Sequence, residues 1–298
     1  MTHPGRVYAV VNQKGGVGKT TTAVNLAASL AASERSTLLV DFDPQANATS
    51  AFGASGSRPH VYDAVIGECV MKEMTRGTEL RYLHLVPSGR DLYGAEIELV
   101  SAISRERRLE RALAEIRDAY EIVLVDCPPS LGLLTLNALT AADGVIIPLQ
   151  CEYYALEGLA GLLETVDLVR RELNPGLALE GVLLTMADTR NNLSRQVEAE
   201  VRRHFGAQVY ETVIPRNVRL SEAPSHGKPI LLYDVRSSGA TAYLELAAEM
   251  LHRIPAPVPP IAPPSPAFPC PEPASSAVHQ TVEAATTSSS DEGDPNGQ

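Results

Sequence analysis

Short runs of consecutive apolar residues alternate along the chain with longer stretches whose apolar residues recur every three or four positions. Runs such as 122–125 and 145–147 contain no polar alternation, which is typical of strands covered on both faces in a parallel sheet. The predicted strands are 7–12, 37–43, 83–87, 121–126, 144–149, 180–185, 209–214 and 230–233. The predicted helices are 19–33, 104–120, 156–173, 193–205 and 240–254. This alternation predicts an α/β fold with a doubly wound, mostly parallel sheet.

The character of the chain changes after residue 254. The remaining segment holds 11 of the 22 prolines, a polar run at 286–290, and neither lysine nor arginine. Such a composition buries too little apolar surface to offset the entropy of ordering the chain. We therefore predict a globular domain over 1–254 and a disordered, acidic tail rich in Pro, Ala and Ser over 255–298. The composition favours a simple extension over a docking peptide for a partner.

The formal charge is −11, which argues against a general nucleic-acid binder, but the charge is unevenly spread. Between residues 190 and 236, eight basic side chains stand against five acidic ones. The chain has only four lysines, and Lys14 and Lys19 share one glycine-rich stretch. That stretch therefore requires an ammonium group, whereas arginine is the usual cation elsewhere.

Four cysteines, at 69, 127, 151 and 270, stand far apart with no CxxC pair. This spacing excludes a disulfide scaffold and speaks against a zinc ribbon or an iron–sulfur site. No apolar stretch reaches 18 residues, and no signal-peptide pattern is present. We expect a cytoplasmic protein.

The stretch 12–22, NQKGGVGKTTT, follows a predicted strand and opens a predicted helix. In that context, glycines let backbone N–H groups converge on phosphate oxygens. Lys19 is expected to reach the β- and γ-phosphates, Thr20 to ligate Mg²⁺, and Thr21 to donate to the α-phosphate. The usual GxxxxGK[ST] pattern requires glycine at 13, where Gln13 stands, and adds no second lysine. Two ammonium groups in one loop repel, so Lys14 is interpreted as pointing away, toward the nucleotide of a facing subunit.

The loop Lys14, Gly15, Gly16, Val17, Gly18, Lys19, Thr20 resembles that of the deviant Walker A ATPases, specifically the ParA/Soj chromosome- and plasmid-partitioning branch. The resemblance covers about residues 6–254. It implies a P-loop NTPase fold, ATP and Mg²⁺ as cofactors, slow intrinsic ATP hydrolysis and an ATP-dependent homodimer. It also implies non-specific binding to double-stranded DNA, association with the nucleoid, and a ParB-like partner that stimulates hydrolysis.

Three aspartates end predicted strands. Asp41 and Asp43 have the spacing that places side chains on one face of a strand, and Asp126 closes an apolar run like a Walker B acid. Asp126 is expected to hold Mg²⁺ through water, opposite Thr20. The family pattern assigns Asp43 to orienting the attacking water and Asp41 to supporting the metal.

The loop 214–229 carries two further assignments from the resemblance: Pro215 packs on the adenine and Asn217 bonds the base edge. A DNA surface is predicted from the basic residues of this region, because phosphate contacts need only a roughly continuous track of cations. Arg190 and Arg219 match positions that the family uses for this purpose. The predicted DNA-binding residues are Arg190, Arg195, Arg202, Arg203, Arg219, Lys228 and Arg236.

Two alternatives use the same scaffold. One is a MinD-like ATPase that acts at a membrane, or another cargo-positioning ATPase. The membrane-acting form would need a basic amphipathic helix at the C-terminal end of the domain. The predicted helix 240–254 instead carries Glu245 and Glu249 against Arg253. A metabolic enzyme or an iron–sulfur carrier is the other alternative, and no paired cysteines support the carrier.

Overall fold

The computed structural model describes residues 5–152, 155–188 and 190–254, and gives side chains for all of these except 155–157. Seven strands form one sheet in the order β3-β4-β2-β5-β1-β6-β7, in which only β3 is antiparallel to its neighbour. The strands are β1 Arg6–Val10, β2 Thr37–Asp41, β3 Arg76–Gly77, β4 Leu83–Val86, β5 Ile122–Asp126, β6 Gly144–Gln150 and β7 Ala178–Thr185. The predicted doubly wound α/β sheet is therefore confirmed.

Helices cover both faces of the sheet, each face with its own apolar cluster. The α-helices are α1 Lys19–Ala32, α2 Asn47–Ser50, α3 Val61–Ile66, α4 Met71–Met74, α5 Leu92–Glu98, α6 Arg108–Ala114, α7 Leu133–Ala141, α8 Ala155–Glu172, α9 Asn192–Phe205, α10 Val218–Glu222, α11 Ile230–Tyr233 and α12 Ser238–Arg253. Short 3₁₀ turns lie at Leu99–Ser101, Arg105–Arg107, Arg117–Ala119, Gly206–Gln208 and Ala223–His226. Buried residues of α1 and α12 share one cluster, while α3, α5, α6, α7 and α8 line the other.

Two predicted strands are wrong. Residues 230–233 form the helix α11, whose first N–H, at Ile230, donates to Asn25 Oδ1 at 2.7 Å. Residues 209–214 run beside β7 but form a single isolated bridge, between Val182 and Val209. A short apolar run fits a strand or a helix turn equally well, so its tertiary contacts decide.

The predicted helix 104–120 is also wrong as a single element, because α6 is flanked by two 3₁₀ turns. The helix α7 was not predicted, since its sequence LLTLNALTA is apolar on nearly every side. The predicted tail, 255–298, lies outside the described residues.

The register of the parallel strands brings three chain segments to one edge of the sheet. Val10 of β1 and Asp41 of β2 both align with Asp126 at the end of β5. The phosphate loop follows β1 at the same level. Carboxyl ends of parallel strands are where α/β sheets bind ligands, so the sequence-predicted residues converge there.

Gly181 allows the close packing of β7 against an aromatic ring. A Cβ at this position would lie 2.5 Å from Cε2 of Tyr210, whose side chain is fully buried. We expect Gly181→Ala to lower the free energy of unfolding by about 1–3 kcal/mol, as overpacking of a rigid core does. Urea denaturation measures this.

Gly77→Ala provides the control, because a Cβ at 77, on the edge strand β3, has no neighbour within 4 Å. It should stay within about 0.5 kcal/mol of the unmodified chain. Equal losses in the two variants would contradict the packing explanation.

Candidate nucleotide site

The loop between β1 and α1 is shaped to expose backbone N–H groups. Asn12 fixes its entry, with Oδ1 accepting from Lys14 N at 2.9 Å and Nδ2 donating to the Pro148 carbonyl at 2.8 Å. Gly16 and Gly18 have φ of 76° and 89°, a left-handed conformation that favours glycine. No side chain caps α1. The first N–H groups of α1 are therefore available to an anion such as a phosphate.

The remaining loop residues lie where a polyphosphate cradle requires them. Gly15 is exposed at the tip of the loop, and Val17 is buried with its carbonyl accepting from Thr185 Oγ1 at 2.9 Å. Thr20 and Thr21 are half-buried on the first turn of α1. The structure thus brings the predicted phosphate-binding residues together.

Gln13 explains the departure from the usual motif. Its Nε2 donates to the Gly158 carbonyl of α8 at 2.8 Å and packs near Gly161. A glycine at 13 has no side chain and could not form this hydrogen bond to the Gly158 carbonyl. The side chain therefore fixes α8 beside the phosphate loop.

The two lysines of the loop have different environments. Lys19 is 6% exposed, and its Nζ donates to the Lys14 carbonyl at 3.1 Å. Lys14 is half-exposed, and its Nζ forms an ion pair with Glu152 Oε2 at 2.7 Å. Glu152 follows β6, 138 residues along the chain, and no sequence signal marked it. The Lys19 ammonium therefore lies in the nucleotide site of its own chain, whereas the Lys14 ammonium points out of that site.

Three buried aspartates surround the end of β5. Asp41 and Asp126 are fully buried, and Asp43 is 5% exposed. Within the described part of the chain, neither oxygen of Asp126 has an aligned hydrogen-bond partner. A buried carboxylate without aligned partners is costly, so these two oxygens, close to the Thr20 hydroxyl, suit a cation-binding position.

Asp41 anchors the loop that carries Asp43. Its Oδ2 accepts from Thr49 N and Oγ1 at 2.7 and 2.6 Å, and its Oδ1 accepts from Asp43 N at 3.2 Å. Asp43 Oδ1 in turn accepts from Gln45 N at 2.9 Å. Both oxygens of Asp41 are thus engaged by the protein, and its support of a metal stays a prediction.

Burial sets the protonation of this cluster. It raises the pKa of Asp41 to about 6, opposed by the hydrogen bonds from Thr49. It raises the pKa of Asp126 well above its usual range, and the charge of Asp41 adds to the effect. Burial lowers the pKa of Lys19, while Asp126 opposes that shift. One ammonium therefore faces an excess of negative charge.

The residues fit Mg²⁺ bound together with a nucleotide. Mg²⁺ prefers oxygen ligands and keeps several waters, so it needs few protein ligands. Among the described residues, no three or more His, Cys, Asp or Glu side chains are placed so that together they could hold a metal ion. Thr20 and Asp126 would hold the ion, which would neutralise phosphate charge when bound.

The predicted adenine residues lie on the segment after β7. Pro215 bridges Ala187. Asn217 caps α10, since its Oδ1 accepts from Arg219 N at 2.8 Å, and its Nδ2 donates to Ser238 Oγ at 2.7 Å. Each amide atom keeps the capacity for one more hydrogen bond, since Nδ2 carries a second N–H and Oδ1 a second lone pair, and the contact with a base edge stays a prediction.

Most of the predicted DNA-binding arginines are exposed, and four of the exposed ones pair within the chain. The pairs are Arg190 with Asp188 at 3.0 Å, Arg219 with Glu222 at 2.9 Å and Asp234 at 3.4 Å, Arg203 with Glu200, and Arg195 with Asn192. Lys228 is half-buried, and Arg236 is exposed.

Arg202 is held by bonds within the chain. Its guanidinium donates to Glu198 Oε1 at 2.9 Å and to the carbonyls of Tyr210 and Glu211 at 3.1 and 3.3 Å. Its side chain is only one-third exposed. Arg202 therefore ties α9 to the following segment, and its contact with DNA stays a prediction.

Arg216 was missing from the predicted set. It is exposed, and its N–H donates to the Ala187 carbonyl at 3.0 Å, which places it beside Asp188. Hydrogen bonds from Arg190 lower the pKa of Asp188, and the charge of Arg216 adds to them. Its position directly after the predicted base contact Pro215 was the available signal.

A parallel sheet whose first strand leads through a glycine-rich loop into α1, next to the acid that ends β5, defines a P-loop NTPase. The second lysine of the loop makes it one of the deviant Walker A class. A family model described as an AAA domain matches residues 5–179.

Curated relatives define the branch. A chromosome partitioning protein ParA from Myxococcus xanthus is 57% identical over 251 residues, which are 84% of this chain and 89% of the relative. The sporulation initiation inhibitor protein Soj from Bacillus subtilis is 57% identical over 248 residues, which are 83% of this chain and 98% of the relative. The chain therefore belongs to the ParA/Soj family of chromosome-partitioning ATPases.

A similar solved structure is cobyrinic acid a,c-diamide synthase from Mycobacterium smegmatis with bound ADP and magnesium. It has a TM-score of 0.73 and 39% identity, with 85% of this chain and 95% of that chain covered. Its name belongs to the metabolic alternative, but the higher identity of the partitioning relatives decides against that alternative. The expected cofactors, ATP and Mg²⁺, agree with a family of ATPases and with this structure.

Asn at 126 should stabilise the protein that lacks metal and nucleotide. The folded-state pKa of Asp126 is raised, so the folded protein holds the proton on Asp126 more tightly than the unfolded chain does. The stabilisation from this proton is complete below the unfolded-state pKa and is lost as pH rises through the folded-state pKa. Each pKa unit is worth about 1.4 kcal/mol. We expect Asp126→Asn to have the higher Tm at pH 8, with the gap closing toward pH 4.

Asp118→Asn, at an exposed position, is the control and should show no such pH-dependent gap. Added Mg²⁺ and ATP should raise the Tm of the unmodified chain more than that of Asp126→Asn. A lower Tm for Asp126→Asn at pH 8 would contradict an unpaired buried charge.

Proposed function

We propose that this chain is an ATPase that dimerises on ATP, binds double-stranded DNA non-specifically and segregates a chromosome or plasmid. A ParB-like partner stimulates its hydrolysis. The observation that carries the proposal is the division of roles between Lys19, which is buried in its own site, and Lys14, whose ammonium lies outside it.

The charge at the site argues for a cation from a second subunit. The buried Asp41, Asp43 and Asp126 face Lys19 alone among the loop lysines, and a triphosphate adds further negative charge. Mg²⁺ offsets part of this charge. A second ammonium from Lys14 of a facing copy supplies more, in a site where water is excluded and charges interact strongly. ATP occupancy would thereby favour the dimer.

The Lys14–Glu152 ion pair competes with that arrangement. An exposed ion pair contributes about 0–1 kcal/mol, so exchange of Glu152 for a phosphate is energetically accessible. The pair occupies Lys14 in the isolated subunit. It therefore sets a small barrier to dimerisation without nucleotide.

Hydrolysis would depend on Asp43. Its carboxylate is buried beside the end of β5, which suits it to orient water against the γ-phosphate. The hydrogen bonds that hold Asp43 come from its own loop and strand, because its Oδ1 accepts from Gln45 N and its N–H donates to Asp41. Since the described residues place no stronger base beside Asp43, the intrinsic rate would be slow, and a partner would accelerate it.

The DNA surface is the exposed basic part of residues 190–236. Arg216 and Arg219 closely follow Pro215, whereas Arg190 lies between β7 and α9 and Arg236 between α11 and α12. Phosphates would replace the three acids that pair with Arg190 and Arg219. Such contacts are independent of sequence and sensitive to salt. Binding in this way would place the protein on the nucleoid.

A membrane-acting ATPase is less consistent with α12. The apolar side chains of that helix, including Tyr243 and Leu246, are buried in the cluster it shares with α1. Glu249 accepts from the N–H groups of Glu211 and Thr212 at 2.8 and 2.9 Å. No helix in the described part of the chain combines the length and apolarity needed to cross a membrane.

We propose residues 1–254 as the ATPase domain.

Loss of Lys14 should abolish the ATP-dependent dimer, and loss of Glu152 should strengthen it. In an Asp43→Ala background, which preserves ATP, we expect Lys14→Ala to stay monomeric. Glu152→Gln should lower the dimer Kd up to about thirty-fold, because it frees two Lys14 side chains, one in each subunit, from pairs worth about 0–1 kcal/mol each. Sedimentation equilibrium with ATP and with ADP measures both.

Asp167→Asn is the matched control, since it breaks another exposed pair, with Arg170 at 2.6 Å, on α8. It should leave the dimer Kd unchanged. Unaltered dimerisation of Lys14→Ala would sink the assignment of Lys14 to the facing site.

Loss of Arg219 should weaken DNA binding without affecting ATP binding. Arg219→Ala removes a phosphate contact, so affinity should fall equally on unrelated sequences, and the slope of log affinity against log salt should drop by about 1. Arg216→Ala should behave alike. Fluorescence anisotropy with ATP across a salt series measures this.

Arg171→Ala, exposed in the last turn of α8, should match the unmodified chain. Arg202→Ala should lower Tm, because that guanidinium holds two carbonyls. Equal loss of ATP and DNA binding in Arg219→Ala would refute the surface assignment.

A further inference from the structure

Two glycine backbones touch where the loop of Asp43 meets the segment of Arg219. Gly53 and Gly227 have φ of 64° and 62°. A Cβ on Gly227 would lie 2.9 Å from Gly53 Cα and 3.0 Å from Gly53 N. Backbone cannot turn aside as a side chain does, so displacement of one glycine toward the other must move both segments.

Consecutive turns connect Gly53 to Asp43, the carboxylate proposed to orient the attacking water. Ala46 N donates to the Asp43 carbonyl at 2.9 Å, Ser50 N to the Ala46 carbonyl at 3.0 Å, and Gly53 N to the Ser50 carbonyl at 2.9 Å. Thr49, between these turns, holds Asp41. The stretch from Asp43 to Gly53 is therefore a short, hydrogen-bonded unit.

A second unit connects Gly227 to the basic segment. The helix α10, which carries Arg219, runs directly into the 3₁₀ turn Ala223–His226, and Gly227 ends that turn with its N–H on the Pro224 carbonyl at 3.0 Å. Arg219 itself is held by Glu222 and Asp234. Phosphates that draw Arg219 away from these acids pull on the same unit.

The far end of the unit is fixed to the phosphate-loop helix. Ile230 N donates to Asn25 Oδ1 at 2.7 Å, and Asn25 Nδ2 donates to the Thr21 carbonyl at 2.8 Å. With Ile230 anchored, movement of α10 is transmitted at Gly227. That is the point where the segment touches the loop of Asp43.

We propose that Gly227 is a positioning residue that transmits DNA contact at Arg219 to the placement of Asp43, so that DNA changes the rate of ATP hydrolysis. This inference rests on the proposed function, in which the protein binds double-stranded DNA. It adds a route by which the polyanion on one surface controls the acid in the nucleotide site, through the Gly53–Gly227 contact.

Steady-state kinetics with and without random-sequence double-stranded DNA tests the proposal. In the unmodified chain, DNA should change kcat at least two-fold. In Gly227→Ala this response should disappear, while the KM for ATP and the Kd for DNA stay within two-fold of the unmodified values. Retention of the response, or its loss together with ATP and DNA binding, would overturn the proposal.

Two matched variants separate contact from backbone strain. Gly53→Ala has the same positive φ, but its Cβ would lie 3.7 Å from the Gly227 carbonyl oxygen, an ordinary contact. Gly206→Ala, with φ of 51°, has no neighbour within 4 Å. Both should keep the DNA response, and its loss in either would overturn the proposal.

A fluorescence measurement needs no change at Gly227. The chain has no tryptophan, so Phe52→Trp introduces a single reporter beside Gly53, in a cavity of about 270 Å³ that Gly227 and Pro229 also line. With ATP, DNA should shift its emission but not that of Tyr93→Trp, on α5 across the sheet. Unchanged Phe52→Trp emission would overturn the proposed coupling through the Gly53–Gly227 contact. Failure of the unmodified chain to bind DNA would overturn the proposed function as well.

Discussion

Uncompensated negative charge at the carboxyl end of β5 is the constraint on which the rest of the structure depends. Asp126 and Asp41 are fully buried side by side in register, Asp43 lies next to them, and Lys19 is the ammonium that faces them. Such a cluster is unfavourable in a low-dielectric interior unless cations complete it. This unfavourable charge cluster lies at the position where a metal–nucleotide complex would be bound.

The surrounding fold keeps that charge in place. Asp41 is held by Thr49, and the phosphate loop is held by Asn12 and, through α8, by Gln13. Among the described residues, these contacts leave the first N–H groups of α1 without a side-chain cap and the oxygens of Asp126 without an aligned hydrogen bond. The site is therefore rigid on its protein side and open on its ligand side, which is what electrostatic stabilisation of phosphoryl transfer requires.

Features written in local sequence were predictable, and features that depend on distant partners were not. The phosphate loop could be predicted because it follows the apolar strand β1, and Asp126 because it ends the apolar strand β5. The ion pair of Lys14 with Glu152 spans 138 residues, and no periodicity encodes it. Arg202 looked like a solvent-facing helix residue, but the carbonyls it binds belong to a segment whose path only the tertiary structure defines. Residues 230–233 have strand-like composition, yet their contact with Asn25 selects a helix turn.

The claim that charge is completed across two subunits is tested most directly by mixing two inactive variants. Lys14→Ala retains its own Asp43 but lacks the ammonium that it would lend, whereas Asp43→Ala lends Lys14 but cannot hydrolyse. In a mixed dimer, the site of the Lys14→Ala subunit regains both groups, so the mixture should hydrolyse ATP faster than the sum of the separate variants. A mixture no more active than that sum would show that Lys14 acts within its own chain.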